Sequence, residues 1–414
     1  MSIKVHAIFS ILFLVFASTH SWGHSTPINE TWNAPENDRG NHYILLLEPI
    51  HQLTRMVGPK QLVASKEGVS IIRLKREQLS QWSHQVHEAL GFCGGYVDIT
   101  KEIRQGIQPD WIIWKEVMKR QIPARHFGFR LKLSRSIASL VEAGSEKAFW
   151  NFLATLTAFP DRSATTENGV KAAKYLGDYA LSLRRYRSDL KVTYVPSGWF
   201  YKQPSVLVTL PGSDRNAGGV VIGGHFDTFS GGKPGADDDG SGSAVVMESL
   251  RAVIASGARF RRDLHFIWYA AEERGLVGSK NVVSYFSDQK IPVRAAMQFD
   301  MVGWNSSKDK DDIYLIQDYT NAELTGTVAQ LISQYVGGSV GYTRCGYACS
   351  DHASWHRAGI PVVFPFESSF SGMNQKLHTA GDLQQILDSK HAFRFVKVSL
   401  AFLGEMAELV SVNR

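Results

Sequence analysis

From about residue 138 onward, short apolar segments alternate with segments of helical periodicity, and this alternation constrains the fold more than any other feature of the chain. Apolar, β-branched runs predict strands over 205–210, 220–223, 264–269, 295–299, 313–316 and 362–365. Apolar residues spaced three and four apart predict helices over 146–158, 169–183, 241–255, 322–335 and 391–410. We therefore expect an α/β protein, a three-layer α/β/α sandwich around a mixed, mostly parallel sheet.

The N-terminus has the pattern of an export signal. Lys4 precedes an apolar run over residues 7–17, and small and polar residues continue to Gly23. The alternative is a membrane anchor, but the run is too short to cross a hydrocarbon core about 30 Å thick. We expect residues 1–23 to be a signal peptide and the protein to be secreted, extracellular or periplasmic, without stable membrane association.

Charge and motif content argue against several classes of function. The formal net charge of +6 is spread along the chain without a block of like charges, which gives nucleic-acid binding little support. The chain lacks the G-x-x-x-x-G-K-[ST] and H-E-x-x-H motifs, and it has no G-x-G-x-x-G after a strand. These absences argue against nucleotide-binding enzymes and the commonest zinc proteases.

Potential metal ligands follow three of the predicted strands at their carboxyl ends. They are His225 and Asp227, Glu272 and Glu273, and Asp300. Sites in open α/β sheets form outside the carboxyl ends of the strands, so we expect these side chains to lie together. Each one alone also has an ordinary explanation, such as a hydrogen-bonded core histidine or the start of a surface helix.

Two further segments add ligands of the same kind. Asp237, Asp238 and Asp239 follow one another between glycines, and three adjacent carboxylates repel each other unless cations neutralise them. A solvated loop with a helix cap is the alternative for this segment. His378 lies in a polar turn. Together the segments supply the side chains that two zinc ions sharing a carboxylate require.

This set of motifs resembles the co-catalytic dizinc exopeptidases, in particular the secreted bacterial leucyl aminopeptidases, over about residues 140–410. The motifs are His-Phe-Asp at 225–227, Gly-Ala-Asp-Asp-Asp at 235–239 and Ala-Glu-Glu-Arg-Gly at 271–275, together with Asp300, His378 and the cysteine-containing segment 345–356. The resemblance implies the zinc exopeptidase fold and two Zn²⁺ ions per chain. It implies that Asp237 bridges the ions, that His225 and Asp300 complete one site, and that Glu273 and His378 complete the other.

The resemblance also implies roles for residues beside the ligands. Glu272 is expected to be the general base, and Tyr347 is expected to hydrogen-bond the developing oxyanion. Asp227 and Asp238 are expected to support the ligands, with a cis peptide bond after the bridging residue, between Asp237 and Asp238.

By the same resemblance, an apolar pocket receives the first side chain of the substrate. Its walls are expected to include Met301, Ile316, Phe366, Phe370 and a bridge between Cys345 and Cys349. Met373 lies near a position where the resembling enzymes have an aromatic residue, which leaves the depth of the pocket open.

The three cysteines allow two interpretations. In an oxidising compartment Cys345 and Cys349 are expected to form a disulfide, which leaves Cys93 unpaired. The alternative is a structural zinc site in which His352 and His356 join the two thiolates.

The sequence pattern of residues 24–135 predicts a separate small unit. Strand patterns at 43–47 and 69–74 and a helical pattern at 77–90 indicate a small α/β fold, followed by a basic connector over 101–135. We expect a propeptide that assists folding or blocks the site, with the catalytic domain spanning 136–414. The alternative is a permanent accessory domain.

The expected function is that of a metallo-aminopeptidase that hydrolyses the N-terminal bond of peptides. The resemblance implies a dizinc-bound water, a glutamate base and a preference for Leu or other large apolar residues. We expect a monomer that binds peptides with a free N-terminus and no nucleic acid. The alternatives are a one-zinc glutaminyl cyclase, a non-enzymatic binding protein on the same fold, and an endopeptidase or carboxypeptidase.

Overall fold

A computed structural model of the chain describes residues 40–47, 50–58, 60–90, 96–119, 127–129, 131–198 and 200–412. The predicted signal peptide and Cys93 lie outside these residues, so the structure does not bear on either prediction. None of the helices in these ranges is long and apolar enough to cross a membrane.

The described residues form strands and helices throughout their length. The strands are β1 Asn41–Leu47, β2 Leu62–Lys66, β3 Val69–Lys75, β4 Tyr96–Asp98, β5 Lys191–Val195, β6 Ser205–Leu210, β7 Gly219–His225, β8 Arg259–Phe260, β9 Leu264–Tyr269, β10 Val293–Gln298, β11 Ile313–Ile316, β12 Val340–Thr343, β13 Val362–Val363, β14 Pro365–Phe366 and β15 Leu409–Ser411. The α-helices are α1 Arg76–Leu90, α2 Thr100–Arg104, α3 Pro109–Lys119, α4 Arg135–Val141, α5 Glu146–Thr157, α6 Glu167–Ser182, α7 Gly242–Ala255, α8 Val277–Asp288, α9 Ala322–Leu331, α10 His352–Arg357 and α11 Ser389–Met406.

The main sheet has six strands in the order β13-β10-β7-β9-β6-β5. The four strands from β13 to β9 are parallel, and β6 and β5 pair antiparallel at the other edge. All the residues of β7 are buried, as is usual for a central parallel strand covered on both faces. The carboxyl ends of β7, β9 and β10 therefore meet at one edge of the sheet.

Helices cover both faces of this sheet. Val220 and Ile222 of β7 pack in the larger core, together with residues of α4, α5, α6, α7, α9 and α11. Val221, between them, points to the other face and packs with residues of α8 and α10. This alternation along one strand produces the three layers, and the prediction of a three-layer α/β/α sandwich is confirmed.

Smaller sheets complete the main domain. Strands β12, β11 and β14 form a three-stranded sheet, and β15 pairs with β8. The predicted strand 362–365 is therefore split, because β13 joins the main sheet whereas β14 pairs with β11. The predicted helix 391–410 ends at Met406, because the residues that follow form β15.

The N-terminal unit consists of residues 40–119 where the structure describes them. Its four strands lie in the order β2-β3-β1-β4, all antiparallel. Trp82 and Val86 of α1 pack with Ile44 and Leu46 of β1, and this cluster continues into apolar residues of the main domain. The unit therefore shares a core with the main domain instead of packing as a separate body.

Candidate metal centre

Five side chains from five segments of the chain converge at the carboxyl edge of the main sheet. They are His225 at the end of β7, Asp238 in the turn before α7, Glu273 after β9, Asp300 after β10, and His378 in the loop before α11. These side chains are almost completely buried. The strand ends bring them together as the sequence predicts, although one of the five is not the predicted residue.

The side chains form two groups that have one carboxylate in common. In the first, His225 Nε2 lies 3.1 Å from Asp238 Oδ1 and 3.6 Å from Asp300 Oδ1. In the second, His378 Nε2 lies 3.0 Å from Asp238 Oδ2 and 3.1 Å from Glu273 Oε2. Asp238 therefore directs one oxygen to each group.

These residues fit two metal ions. Asp300 Oδ1 and Glu273 Oε2 are buried and accept no hydrogen bond, so each needs another partner. Tetrahedral zinc bonds of about 2.0–2.2 Å place neighbouring ligand atoms about 3.4 Å apart, which matches the observed spacings. Imidazole and carboxylate donors in two buried groups, joined by one carboxylate, are the donor set of a co-catalytic zinc pair.

The predicted bridging residue is wrong by one position. Asp237 turns away from both groups: its Oδ1 accepts the Gly303 N–H at 2.9 Å and its Oδ2 accepts Asn374 Nδ2 at 3.0 Å. Its carboxyl also pairs with that of Glu367, and burial raises the pKa of Asp237 to about 6. Asp237 is therefore part of a buried hydrogen-bond network behind the centre, and Asp238, predicted to be a supporting residue, lies between the two groups.

The turn that contains these aspartates has an unusual backbone. The cis peptide bond lies between Asp238 and Asp239, one position later than predicted, so it still follows the shared residue. The backbone passes close to β7, because a Cβ on Gly224 would lie 2.8 Å from Asp239 Oδ2. Gly235 has a φ of +53°, in the left-handed region that glycine tolerates. The glycines around this segment thus allow a close approach that side chains would prevent.

Asp227 connects His225 to the glutamate predicted to be the base. His225 Nδ1 lies 3.1 Å from the Asp227 backbone oxygen and 3.6 Å from Asp227 Oδ1, so the carbonyl is the nearer acceptor. Asp227 Oδ1 accepts the backbone N–H of Glu272 at 2.9 Å. Burial raises the pKa of the Glu272 carboxyl well above its usual range. A carboxyl with a raised pKa beside these candidate metal ligands is suited to transfer protons.

Protons and a bound metal would compete for the ring nitrogens of the two histidines. Burial alone lowers the pKa of His378, but the carboxylates of Glu273 and Asp238 raise it to about 10. Burial likewise lowers the pKa of His225, and Asp300, Asp227 and Asp238 together raise it well above its usual range. Metal binding to this cluster therefore releases protons.

The predicted pocket residues also come together. A cavity of about 20 Å³ beside Asp300 is lined by Met301, Ile316, Tyr347, Cys349, Phe364, Phe366, Phe370 and Met373. All four predicted wall residues are present, and the ring of Tyr347 packs edge-on against Phe370 at 6.4 Å. A volume of this size holds little more than one water molecule, so a leucine side chain does not fit in this form of the protein.

Cys345 and Cys349 form the predicted disulfide, which rules out a metal site using both thiolates. His352 Nε2 lies 3.1 Å from the Asp318 backbone oxygen, and His356 packs edge-on against Tyr319. Within the described ranges, the groups of side chains that could hold a metal are the two around Asp238.

The N-terminal unit lies over this part of the main domain. Ile50 and Leu53, which belong to the short helix Ile50–Met56, share an apolar cluster with the pocket residues Met301 and Phe366. Asp98 donates its backbone N–H to the Gly275 carbonyl at 3.1 Å, directly after the glutamates of the site. The Tyr96 ring lies so close that a Cβ on Gly275 would be 2.7 Å from it.

Sequence reasoning missed several buried polar residues around the centre. Arg162, Glu367, Asn374 and Asp382 are buried and hydrogen-bond to the segments that present the ligands. Arg162, Asn374 and Asp382 do not follow a predicted strand, and Glu367, two residues after the predicted strand 362–365, belongs to no metal-binding motif. Their roles depend on contacts across long stretches of sequence, for which a single sequence gives no signal.

Comparison with protein families and sequences identifies similar proteins. The family described as Peptidase family M28 matches residues 205–403. A protein of Arthroderma benhamiae described as a probable leucine aminopeptidase is 34% identical over 325 residues, which cover 76% of this chain and 82% of that protein. A probable leucine aminopeptidase of Arthroderma otae is 31% identical over 346 residues, covering 79% of this chain and 88% of the relative.

Solved structures extend the likeness. LapB from Legionella pneumophila is 33% identical, with a TM-score of 0.80 over 89% of this chain and 100% of its own. The LapA aminopeptidase of the same organism is 32% identical, with a TM-score of 0.79 over 90% of this chain and 99% of its own. These shares exceed that of the main domain alone, so the likeness extends into the N-terminal unit.

Proposed function

Because the chain belongs to peptidase family M28, we propose that this metallo-aminopeptidase uses two zinc ions to remove large apolar residues from the N-terminus of peptides. The observation that supports this most directly is the position of Asp238, whose two oxygens lie 3.1 and 3.0 Å from the Nε2 atoms of two different histidines. A carboxylate shared in this way is the expected bridge between co-catalytic ions.

The five side chains divide between the two ions. His225 and Asp300 would hold one ion, Glu273 and His378 the other, and Asp238 both. When bound, the ions supply a Lewis acid that polarises the scissile carbonyl and lowers the pKa of the attacking water.

Glu272 is the residue we propose as general base. Its backbone is held by Asp227, which also contacts His225, so the base and one ligand keep a constant relative position. In this proposal the Glu272 carboxylate accepts a proton from the attacking water and then donates it to the leaving amine. The surrounding carboxylates would face the free α-amine of the substrate, which favours cleavage at the N-terminus.

Tyr347 and the apolar cavity would select the substrate. Tyr347 lies in the cavity wall beside Asp300, where its hydroxyl would donate a hydrogen bond to the developing oxyanion. The other walls are apolar, and burying a Leu, Met or Phe side chain contributes about 1.5–3 kcal/mol. The cavity must first enlarge, because its present volume of about 20 Å³ is too small for any of them.

We further propose that the chain is a secreted precursor, with a signal peptide over residues 1–23 and an N-terminal unit that blocks the pocket. The support is the shared apolar cluster of Ile50 and Leu53 with Met301 and Phe366. The backbone N–H groups of Lys132 and Leu133 donate to Glu405 at 3.1 and 2.8 Å, so these connector residues pack on the main domain. This packing favours a junction between the two units that lies before residue 132, earlier than the predicted boundary between residues 135 and 136.

The experiment is a panel of amino-acid anilides, assayed with the full chain before and after limited proteolysis and with and without a chelator. We expect Leu-anilide to be cleaved fastest, only after proteolysis, and only with metal bound. Metal analysis should find two zinc ions per chain. One zinc per chain would instead favour the cyclase alternative, and cleavage of N-blocked peptides in place of Leu-anilide would contradict the aminopeptidase assignment.

A further inference from the structure

The turn that carries Asp238 is held on one side by a buried guanidinium. Arg162 is fully buried and donates from Nε to the Phe226 carbonyl at 2.7 Å and from Nη2 to the Gly235 carbonyl at 2.7 Å. Its Nη1 donates to the Pro234 carbonyl. One side chain therefore holds the backbone at both ends of the segment that runs from β7 to the aspartates.

The other side of the same turn is held by a buried carboxylate. Asp382 Oδ1 accepts the backbone N–H of Asp237 at 3.0 Å, and its Oδ2 accepts the backbone N–H of Asp238 at 3.0 Å. The Asp382 carbonyl accepts the Ala236 N–H at 3.2 Å. Asp382 is fully buried and follows His378 by one short turn, so it also connects the two loops that provide ligands to the second group.

We propose that Arg162 and Asp382 are positioning residues that act as a pair, one holding carbonyls and the other amides of the turn, so that Asp238 presents one oxygen to each metal. This inference depends on the proposed dizinc function. Neither residue belongs to the two groups of candidate metal ligands, and in this proposal both act through the backbone on either side of Asp238.

The charges of the pair suit this role. Four carboxylates, those of Asp382, Asp239, Asp227 and Asp238, surround the Arg162 guanidinium and favour its charged form, although burial lowers its pKa to about 10. The guanidinium therefore stays charged at neutral pH. It supplies positive charge among the carboxylates while its N–H groups are used on carbonyls, a combination that the planar fork of arginine allows and lysine cannot reproduce.

Two conservative variants test the pair. Arg162→Lys keeps the charge but cannot reach three carbonyls, and Asp382→Asn puts an amide N–H against one of the two backbone N–H groups. Changing a residue that orients metal ligands typically costs about 10–100-fold in metal affinity, and we expect a loss in that range for each variant. The double variant should lose less than the product of the two, because both changes release the same turn.

The measurement is zinc affinity by competition with a chromophoric chelator, on the full chain, together with the melting temperature of the metal-free proteins. Arg187→Lys is the matched control, since Arg187 is also buried and donates to the Ala258 and Pro211 carbonyls at 3.1 and 3.2 Å, outside the centre. The control should lower the melting temperature without changing zinc affinity. After proteolytic activation, the two test variants should lower kcat more than they raise KM.

The possible results distinguish a failure of the positioning role from a failure of the proposed dizinc function. If the unmodified chain binds no zinc, the proposed function itself fails. If the unmodified chain binds two zinc ions and both variants bind them as tightly, the positioning role is wrong and the pair serves stability alone. A loss of zinc affinity in Arg187→Lys equal to that in the test variants would also overturn the inference, because it would show that any buried arginine has this effect.

Discussion

Asp237, Asp238 and Asp239 carry the same side chain but have three different roles. Asp238 lies between the two groups of ligands, Asp237 accepts the Gly303 N–H, and Asp239 accepts the Gly242 N–H at 2.7 Å. Only the direction in which the backbone sends each carboxylate distinguishes them. At the scale of single residues, function in this protein is therefore decided by orientation more than by chemical type.

The first prediction concerns this orientation. Asp238→Asn replaces one of the two shared oxygens by an NH₂ group and removes the negative charge from both groups, so we expect the purified variant to retain less than one zinc per chain and to lose at least ~100-fold in activity. Asp237→Asn is the matched control, because it changes the neighbouring carboxylate without touching either group. It should retain two zinc ions by metal analysis; the opposite ranking of the two variants would restore the assignment of Asp237 as the bridge.

The second prediction concerns the base. Glu272→Gln keeps the size of the side chain but cannot accept a proton, so we expect normal zinc content and at least ~100-fold lower kcat on Leu-anilide. Glu248→Gln is the control, since Glu248 is also buried but pairs with Arg251 outside the centre. A Glu272→Gln enzyme with unchanged kcat would contradict the role of Glu272 as base.

The third prediction uses a buried histidine away from the centre. Burial, with a smaller contribution from Arg215, lowers the pKa of His265 to about 3, whereas a histidine in the unfolded chain titrates near 6.5. The unfolded chain therefore binds the proton first, and stability falls as the pH drops below about 6.5. Between pH 7 and pH 5 this one residue should reduce the free energy of unfolding by about 2 kcal/mol.

His265→Phe should remove that part of the pH dependence, as measured by urea unfolding of the full chain at both pH values. Thr209→Val is the control, because it removes the hydroxyl that lies 3.0 Å from His265 Nδ1 but leaves the titrating ring in place. If His265→Phe keeps the full difference between pH 7 and pH 5, other groups are responsible for it.

At the scale of elements, the short helix Ile50–Met56 carries the contact that we propose blocks the pocket. Leu53 is buried in the cluster with the pocket residues, whereas Met56 on the same helix is 48% exposed. The same unit is attached at its edge by Lys280, which pairs with Glu102 at 2.8 Å. The apolar contact and the polar edge together hold the unit over the site.

The fourth prediction separates the apolar contact from the rest of the unit. Leu53→Asp loses the burial of a leucine, worth about 1.5–3 kcal/mol, and places a charge in an apolar core. Since 1.4 kcal/mol corresponds to a factor of 10, we expect the uncleaved chain to hydrolyse Leu-anilide at least ~10-fold faster. Met56→Asp, on the exposed side of the helix, should leave the rate unchanged, and equal rates for the two variants would contradict the block.

At the scale of the whole molecule, the centre connects segments that are far apart in the sequence. Its ligands come from the ends of β7, β9 and β10 and from two loops, and they span residues 225–378. A metal that binds only the folded arrangement stabilises all these segments at once. The fold and the metal content should therefore depend on each other.

The fifth prediction follows from this dependence. A ligand present at 100 times its Kd stabilises the folded protein by about 2.7 kcal/mol, which corresponds to a rise in melting temperature of about 3–5 °C for a chain of this size. Chelation should lower the melting temperature by that amount, and added zinc should restore it. The same chelator should shift Asp238→Asn much less; equal shifts in the two proteins would contradict a centre built around Asp238.

The layered architecture and the edge of the sheet at which the site forms can be predicted from the order and periodicity of the apolar segments. Strands β6, β9 and β11 lie where the apolar runs predict them, because each run begins directly after a proline or an aspartate. No pattern in the sequence predicts helix α8. The helix begins after two residues with positive φ, Gly275 and Leu276, and no capping motif precedes it. Glu273, Asp300 and both histidines can be identified as candidate metal ligands from strand ends and motifs, because the local sequence determines which residue lies at the end of a strand.

The aspartate that lies between the two groups of ligands, and the residues that pack with the pocket, can be identified from the folded structure but not from the sequence. Three consecutive aspartates offer equivalent side chains, and the choice among them depends on backbone torsions held by Arg162 and Asp382, which are 76 residues before and 144 residues after Asp238. The apolar residues of the N-terminal unit likewise have no local reason to meet the pocket. Local sequence specifies which element forms, whereas the direction of a side chain in a turn is decided by partners that only folding brings near.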